Sequence, residues 1–259
     1  MPLSPFGLLS PLGWIDRALA PAPSPKRISA LVAQPLAHRG LHGATRLENS
    51  RAAFVEAIGE GHGIELDVQA SRDGDAFVFH DYELDRLTSD SGALAARSTS
   101  ELKRIKLKDT YETIPTLPEV LQLIAGRVPL LIEVKVPTRH VGALCLSVLR
   151  ALDGYRGAVG VMSFHPEVAR WFSIHGGRVA RGLVVTEQGK RRIRGRLKRR
   201  LALWRARPDF LAYDIRDLPT SMSVAARGRG IPVFTWTCRG EEDRARAADH
   251  ADQIIYENP

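Results

Sequence analysis

The chain of 259 residues is 44% hydrophobic and 25% charged, ordinary proportions for a globular protein. Its apolar content excludes a disordered chain. Two cysteines, Cys145 and Cys238, cannot make a disulfide scaffold, and no run of about 18 apolar residues exists to span a membrane. Lys and Arg number 37 against 29 Asp and Glu, a formal charge of +8 that suits an anionic partner such as nucleic acid, a phospholipid surface or a phosphate-bearing substrate.

The first 25 residues hold six prolines and only two charges, Asp16 and Arg17. Their apolar stretch, 6–15, is interrupted by Pro11 and lacks the preceding basic segment of a secretory signal. Residues 1–33 therefore read as a tail and 34–259 as the folded domain. The tail either drapes over the domain or anchors to a surface through Phe6, Leu8, Leu9, Leu12, Trp14 and Ile15. With two cysteines that read as reduced and buried, the expected location is the cytoplasm, at the inner membrane surface if the anchor operates.

From Gln34 onward, short apolar runs alternate with amphipathic ones. Strands are predicted over 36–38, 63–68, 76–79, 129–134, 158–164, 179–185, 210–215, 233–237 and 253–256. Helices are predicted over 50–59, 99–105, 118–124, 140–152, 166–174, 190–204, 220–227 and 241–248. Ser98-Thr99-Ser100-Glu101 supplies N-cap hydroxyls with an early acidic residue, and Pro118-Glu119 suits a first helical turn. Alternation of this kind gives a parallel sheet with helical crossovers, and its repeat number favours a closed (β/α)8 TIM-type barrel. Between Asp67 and Ala76 there is room only for the turn Arg72-Asp73-Gly74-Asp75, so the second crossover helix is expected to be missing. Nine strand candidates exceed the eight a barrel needs, so one lies outside it.

Four motifs sit at predicted strand ends, where barrel enzymes carry catalytic groups: His38-Arg39-Gly40, Glu65-Leu66-Asp67, His80-Asp81 and Glu133-Val134-Lys135. Residues i and i+2 of a strand share a face, so Glu65 and Asp67 point inward together, as do Glu133 and Lys135. Buried like charges are costly unless neutralised. Three inward carboxylates suit a hard cation with oxygen ligands, Mg²⁺ or Ca²⁺, better than zinc. A buried salt-bridge network would explain one such motif, but four at one barrel end favour a site. His38 and His80 are candidates for general acid and base, while Arg39 and Lys135 supply fixed charge for a phosphoryl group. His165 follows a strand end and could line the same mouth. This set fits phosphodiester cleavage better than hydride or acyl transfer. Gly59-Glu60-Gly61-His62-Gly63 is not followed by Lys-Ser/Thr, so it is no P-loop.

These residues, from about Pro35 to the C-terminus, resemble the glycerophosphodiester phosphodiesterase family. The resemblance rests on Ala37-His38-Arg39-Gly40, Glu48-Asn49-Ser50, Gly63-Ile64-Glu65-Leu66-Asp67-Val68, Arg72-Asp73-Gly74, His80-Asp81 and Leu84-Asp85-Arg86-Leu87-Thr88. It continues through Ile114-Pro115-Thr116-Leu117, Ile132-Glu133-Val134-Lys135, Ser163-Phe164, Trp236-Thr237, Ile254-Ile255 and Pro259. It implies a metal-dependent barrel hydrolase that splits a glycerophosphodiester into sn-glycerol 3-phosphate and an alcohol. Glu65, Asp67 and Glu133 match the family's metal ligands, and His38 and His80 its acid/base pair. Arg39 and Lys135 match its phosphate contacts, with Trp236 as a further substrate contact. The attacking oxygen is that of water or of the substrate's own glycerol hydroxyl.

Three positions depart from the family pattern: Leu47 where proline is usual, Cys238-Arg239 for Val-Asn, and Tyr256-Glu257 for Thr-Asp. These are expected to line the substrate end of the barrel rather than the metal. The segment from Asp81 to Pro118 is too short for a large insertion over the site. The run 190–200 holds eight Lys or Arg and is followed by Leu201, Leu203 and Trp204. That run reads as a solvated helix face or as an interfacial helix on anionic lipid; with no base-stacking element beside it, nucleic acid is not expected. The partners expected are a small glycerophosphodiester and an anionic membrane touched peripherally. Two alternative readings are a phospholipase D-like activity on lysophospholipids at the membrane and a non-catalytic barrel that binds ligand.

Overall fold

The computed structural model describes residues 13–189 and 192–258. Among these residues there are nine strands: β1 (Leu36–His38), β2 (Gly63–Ala70), β3 (Ala76–Val78), β4 (Leu130–Val134), β5 (Val159–Ser163), β6 (Ala180–Val185), β7 (Phe210–Asp214), β8 (Val233–Cys238) and β9 (Gln253–Tyr256). Eight of them, all but β3, form a continuous parallel ring that closes where β1 pairs with both β2 and β9. The helices are α1 (Gly13–Leu19), α2 (Pro25–Ile28), α3 (Arg51–Gly59), α4 (Thr99–Leu102), α5 (Leu117–Ile124), α6 (Gly142–Ala151), α7 (Pro166–His175), α8 (Ile193–Ala206), α9 (Ser221–Arg227) and α10 (Glu241–His250). This is the closed (β/α)8 barrel that the alternation predicts.

Strand β3 is the supernumerary one. It runs antiparallel to β2, with Val68 opposite Val78, and so cannot be the next member of a parallel ring. The link from β2 to β3 contains no helix, as its length requires. The chain then makes a long excursion before re-entering the ring at β4. Its side core comprises Phe77, Phe79, Leu84, Leu94, Leu102 and Ile114, among others. The excursion ends in α5, which packs against α3 on one side and α6 on the other. The second place in the outer ring is thus filled late in the crossover, not vacant. Paired side-chain and backbone bonds cap its two helices: Ser98 with Glu101 at α4 and Thr116 with Glu119 at α5.

The period-2 alternation of the strands sorts their side chains. Ile64, Leu66 and Val68 of β2 and Leu130, Ile132 and Val134 of β4 face the helices in the larger core. Residues of the opposite parity face inward. Leu36, Leu131, Ala180, Phe210, Phe234 and Ile255 build an apolar plug inside the barrel. Continuing each strand by two residues from this plug gives His38, Glu133, Glu257, Trp236 and, after Ala212, Asp214. The barrel is therefore greasy below and polar at the carboxyl ends of its strands.

Within the segment expected as a tail, α2 and the residues after it bring Ile28 and Leu31 into this plug. Helix α1 is fixed by Asp16, whose carboxylate accepts hydrogen bonds from Arg200 at 2.7 and 3.0 Å and from the Trp204 indole at 2.7 Å. Phe6, Leu8, Leu9 and Leu12 of the expected anchor lie outside the described residues, as do Lys190 and Arg191 of the basic run. Among the described residues no helix is long and apolar enough to cross a membrane.

Gly182 is where the plug is tightest. A Cβ there would meet the Phe210 ring at 2.2 Å, and that ring is fully buried against Phe234 with centroids 5.0 Å apart. Since neither ring can move outward, Gly182→Ala is expected to lower the unfolding free energy by about 1–3 kcal/mol, read as a shift of the urea midpoint with unchanged slope. An unchanged midpoint would show that the plug has slack.

Candidate active site

Strand register assembles the polar layer. His38 of β1 lies opposite Glu65 of β2, and Asp67 of β2 lies opposite Glu133 of β4. Lys135 follows two residues after Glu133 and so faces the same way. His80 and Asp81 arrive from the excursion just after β3. The cavity at this layer has a volume of about 320 Å³ and is lined by His38, Arg39, Glu65, His80, Glu133 and Lys135 on one side. Met162, Phe164, Val184, Ile215, Trp236 and Ile255 form its apolar wall, and Asp214, Arg216, Thr237, Arg239 and Asp243 complete the rim. Trp236 is held by its indole N–H on the Ala212 carbonyl at 2.9 Å and by an edge-to-face contact with Phe164 at 5.6 Å.

Glu65, Asp67 and Glu133 each present one carboxylate oxygen within 4.8 Å of the others'. Both residues on β2 are buried. Burial, reinforced by the charges of Asp67 and Glu133, raises the Glu65 carboxyl well above the usual carboxylate range. Burial also raises Glu133 despite Lys135 beside it. Asp67 goes the other way, because Lys135, His80, Arg39 and His38 together outweigh its burial. The Lys135 ammonium sits 3.0 Å from Glu133 and 3.2 Å from Asp67, and the Arg39 Nε lies 3.4 Å from Asp67. One oxygen of Glu65 accepts the Arg39 backbone N–H at 3.1 Å, while its buried Oε1 has no hydrogen-bond partner. An orphaned carboxylate oxygen amid hard oxygen donors fits a divalent cation.

The two histidines share one device. His38 Nδ1 lies 2.5 Å from Glu257 Oε1, and His80 Nδ1 lies 2.6 Å from Asp81 Oδ1. Arg86 holds Asp81 at about 2, well below the usual carboxylate range, and His38, His42 and Arg239 outweigh burial to lower Glu257 too. An ionised carboxylate only accepts, so in each ring, when neutral, Nδ1 carries the proton and Nε2 presents its lone pair. Burial lowers both imidazoles below their ordinary value, which favours the neutral ring.

Several contributors carry no role in the sequence reading. Asn49, in the left-handed region at φ +56°, donates to Asp67 Oδ2 at 3.0 Å and accepts the Asp67 backbone N–H at 3.3 Å. Glu48 accepts from Arg39 at 2.7 Å and from Arg86 at 2.7 and 2.9 Å. Arg86 also reaches Asp81 at 2.6 Å, so one chain of charge links both catalytic candidates' surroundings. The Glu48-Asn49 pair within the sequence motif is the local signal for both.

Two of the departing residues meet each other. Arg239 donates to Glu257 Oε2 at 2.6 Å, while the other oxygen of Glu257 holds His38. Arg239 lines the cavity as expected, but Glu257 serves the histidine rather than the substrate end. Leu47 packs on the side core of the excursion, and Cys238 and Tyr256 are buried away from the cavity, so these too do not line the substrate end. His165 caps α7 through its Nδ1 and does not border the cavity.

Residues 38–259 match the model of the glycerophosphoryl diester phosphodiesterase family. A glycerophosphodiester phosphodiesterase of Bacillus altitudinis is 41% identical over 106 residues, covering 38% of this chain and 43% of that protein. Glycerophosphodiester phosphodiesterase 1 of Rattus norvegicus is 29% identical over 185 residues, covering 64% of this chain and 55% of that protein. In both relatives the matched stretch spans less than two thirds of the length. Among solved structures, a glycerophosphodiester phosphodiesterase of Thermotoga maritima superposes with a TM-score of 0.68 at 27% identity, over 85% of this chain and 92% of that one. A phosphodiesterase of Oleispira antarctica, solved in complex with the product sn-glycerol-3-phosphate, shares the fold with a TM-score of 0.75 at 23% identity, over 89% and 94% of the two chains. With its barrel and the convergence of Glu65, Asp67, Glu133, His38 and His80, the chain belongs to the glycerophosphoryl diester phosphodiesterase family, a family of phosphoric diester hydrolases.

Proposed function

We propose that the protein hydrolyses glycerophosphodiesters to sn-glycerol 3-phosphate and an alcohol, with Mg²⁺ or Ca²⁺ bound by Glu65, Asp67 and Glu133. The observation that carries this reading is the placement of three clustered carboxylates, two carboxylate-oriented histidines and two cations around one cavity of about 320 Å³. The related phosphodiesterase with sn-glycerol-3-phosphate bound supports the product assignment.

A divalent cation held by Glu65, Asp67 and Glu133 would supply positive charge to the phosphoryl oxygens. Arg39 and Lys135 add fixed charge from the same side and orient the diester. One histidine Nε2 takes the proton of the attacking oxygen. The other, in its protonated form, gives a proton to the departing alkoxide as the P–O bond breaks. Glu257 and Asp81 hold the two rings in the tautomer and direction this transfer needs. Trp236 and Phe164 present an apolar face to the carbon skeleton of the substrate.

Release of glycerol 3-phosphate from glycerophosphocholine tests the reading. Activity is expected with Mg²⁺ or Ca²⁺, to vanish in excess EDTA and to return when the cation is restored; full turnover in EDTA would overturn the metal assignment. Glu65→Gln is expected to abolish turnover while leaving the metal-free melting temperature unchanged or higher, since it removes a buried carboxylate repelled by two others.

His38→Ala and His80→Ala are each expected to lower kcat by about 10²–10⁴-fold. Near wild-type turnover in either variant would remove that histidine from the acid/base pair. Glu257→Ala is expected to cost about 10²-fold in kcat with KM little changed, and Glu257→Asp to recover part of it, because the carboxylate positions His38 and does not touch substrate. A change confined to KM would instead place Glu257 in substrate binding.

A further inference from the structure

Among the described residues, the cations of the basic run and of the rest of α8 fall into two classes. Arg199 pairs with Glu187 at 2.7 Å, Arg200 with Asp16 at 2.7 Å and Arg205 with Glu167 at 2.6 Å. With Leu203 and Ala206 buried, these residues fix the helix to the barrel and to α1. Arg192, Arg194, Arg196 and Lys198 are exposed and form no ion pair with any described residue. Between them stand Ile193, 83% exposed, Leu197, 56%, and Leu201, 50%. These three are spaced i, i+4, i+8, so at about 100° per residue they fall within an arc of roughly 80°. Arg194 and Lys198 border that arc on one side; on the other stands Arg200, held by Asp16, with Arg196 and Arg192 beyond it.

This stripe points away from the barrel, so packing does not account for its apolar character. Its helix begins beyond the carboxyl end of β6, the end that carries the catalytic cavity. Phe164, 46% exposed, borders that cavity and also a groove lined by Gly189, Arg192, Arg194 and Lys198. The cations that flank the stripe therefore share a groove with a residue of the mouth.

We propose that α8 docks on an anionic phospholipid surface, with Ile193, Leu197 and Leu201 entering the interface and Arg192, Arg194, Arg196 and Lys198 over the head groups. An aliphatic ridge bordered by cations is complementary to a layered surface, apolar within and anionic at its face. A nucleic acid would meet that ridge with phosphates, which it cannot bind, and a second copy of α8 would bring the same positive charge. Docked this way, the enzyme holds its cavity beside the layer from which lipid-derived phosphodiesters come. The docking surface lies outside the catalytic residues, so it stands or falls independently of the proposed reaction.

The test is sedimentation of the full chain with vesicles of phosphatidylcholine alone or mixed with phosphatidylglycerol. Binding is expected only to the mixed vesicles and is expected to weaken as salt is raised. Changing Arg192, Arg194, Arg196 and Lys198 together to Gln is expected to lower the vesicle partition by on the order of 10³-fold. Changing Ile193, Leu197 and Leu201 together to Ser is expected to lower it at least tenfold, on the order of the transfer of a few CH₂ groups. Both variants are expected to keep wild-type turnover of soluble glycerophosphocholine. Leu197→Cys carrying an environment-sensitive fluorophore gives a direct reading of insertion, since the native thiols of Cys145 and Cys238 are buried and pushed up to about 12. A blue shift on mixed vesicles is expected. No binding of the wild-type protein to mixed vesicles, undiminished binding of both variants, or an unshifted label would each overturn the proposal.

Discussion

The central constraint is the crowding of three carboxylates inside the mouth of the barrel. Glu65, Asp67 and Glu133 lie within 4.8 Å of one another on adjacent strands, in a place that burial makes hostile to charge. Much around them reads as a response. Lys135 bridges two of them, Arg39 reaches Asp67 by its side chain and Glu65 by its backbone, and Asn49 clamps Asp67 from both ends. That response is incomplete, because Glu65 and Glu133 remain raised and Glu65 Oε1 remains unpaired. An incompletely neutralised oxygen cluster is what a divalent cation completes.

The rest of the barrel holds this arrangement still. The apolar plug of Phe210, Phe234, Leu131 and their neighbours closes the barrel beneath the carboxylates. Since strand register fixes which residues lie side by side, the spacing of the cluster is set by the sheet rather than by flexible loops. The histidines follow a second principle: each has its Nδ1 occupied by an acceptor, which frees Nε2 for the cavity. For His38 that acceptor is Glu257, itself held by Arg239, so two departures from the family pattern form a single unit. Changing one without the other would leave a charge unpaired at the rim.

Much of this is legible in the sequence because short-range patterns encode it. Alternation along β2 and β4 is enough to put Glu65 and Asp67 on one inward face and Glu133 on another, and the turn-length gap after Asp67 shows that no helix joins β2 to the next strand. The pairing direction of β3 is not legible, since it depends on how the excursion packs its own core around Phe77 and Leu84. For the same reason the amphipathic pattern of α5 does not disclose that this helix fills the second place in the outer ring. The contact between Glu257 and His38 joins residues 219 positions apart and leaves no local trace. On α8 the charge run is plain, but its division into anchoring and outward cations depends on acidic partners from α1, α7 and the loop after β6.

The function proposed for the barrel mouth requires its carboxylate cluster to bind a divalent cation. Calorimetric titration of Mg²⁺ or Ca²⁺ into the EDTA-stripped protein measures this without reference to turnover. One saturable site in the wild-type chain that disappears in Glu65→Gln is the predicted result. No measurable binding to the wild-type chain, or equal binding to the variant, would contradict it.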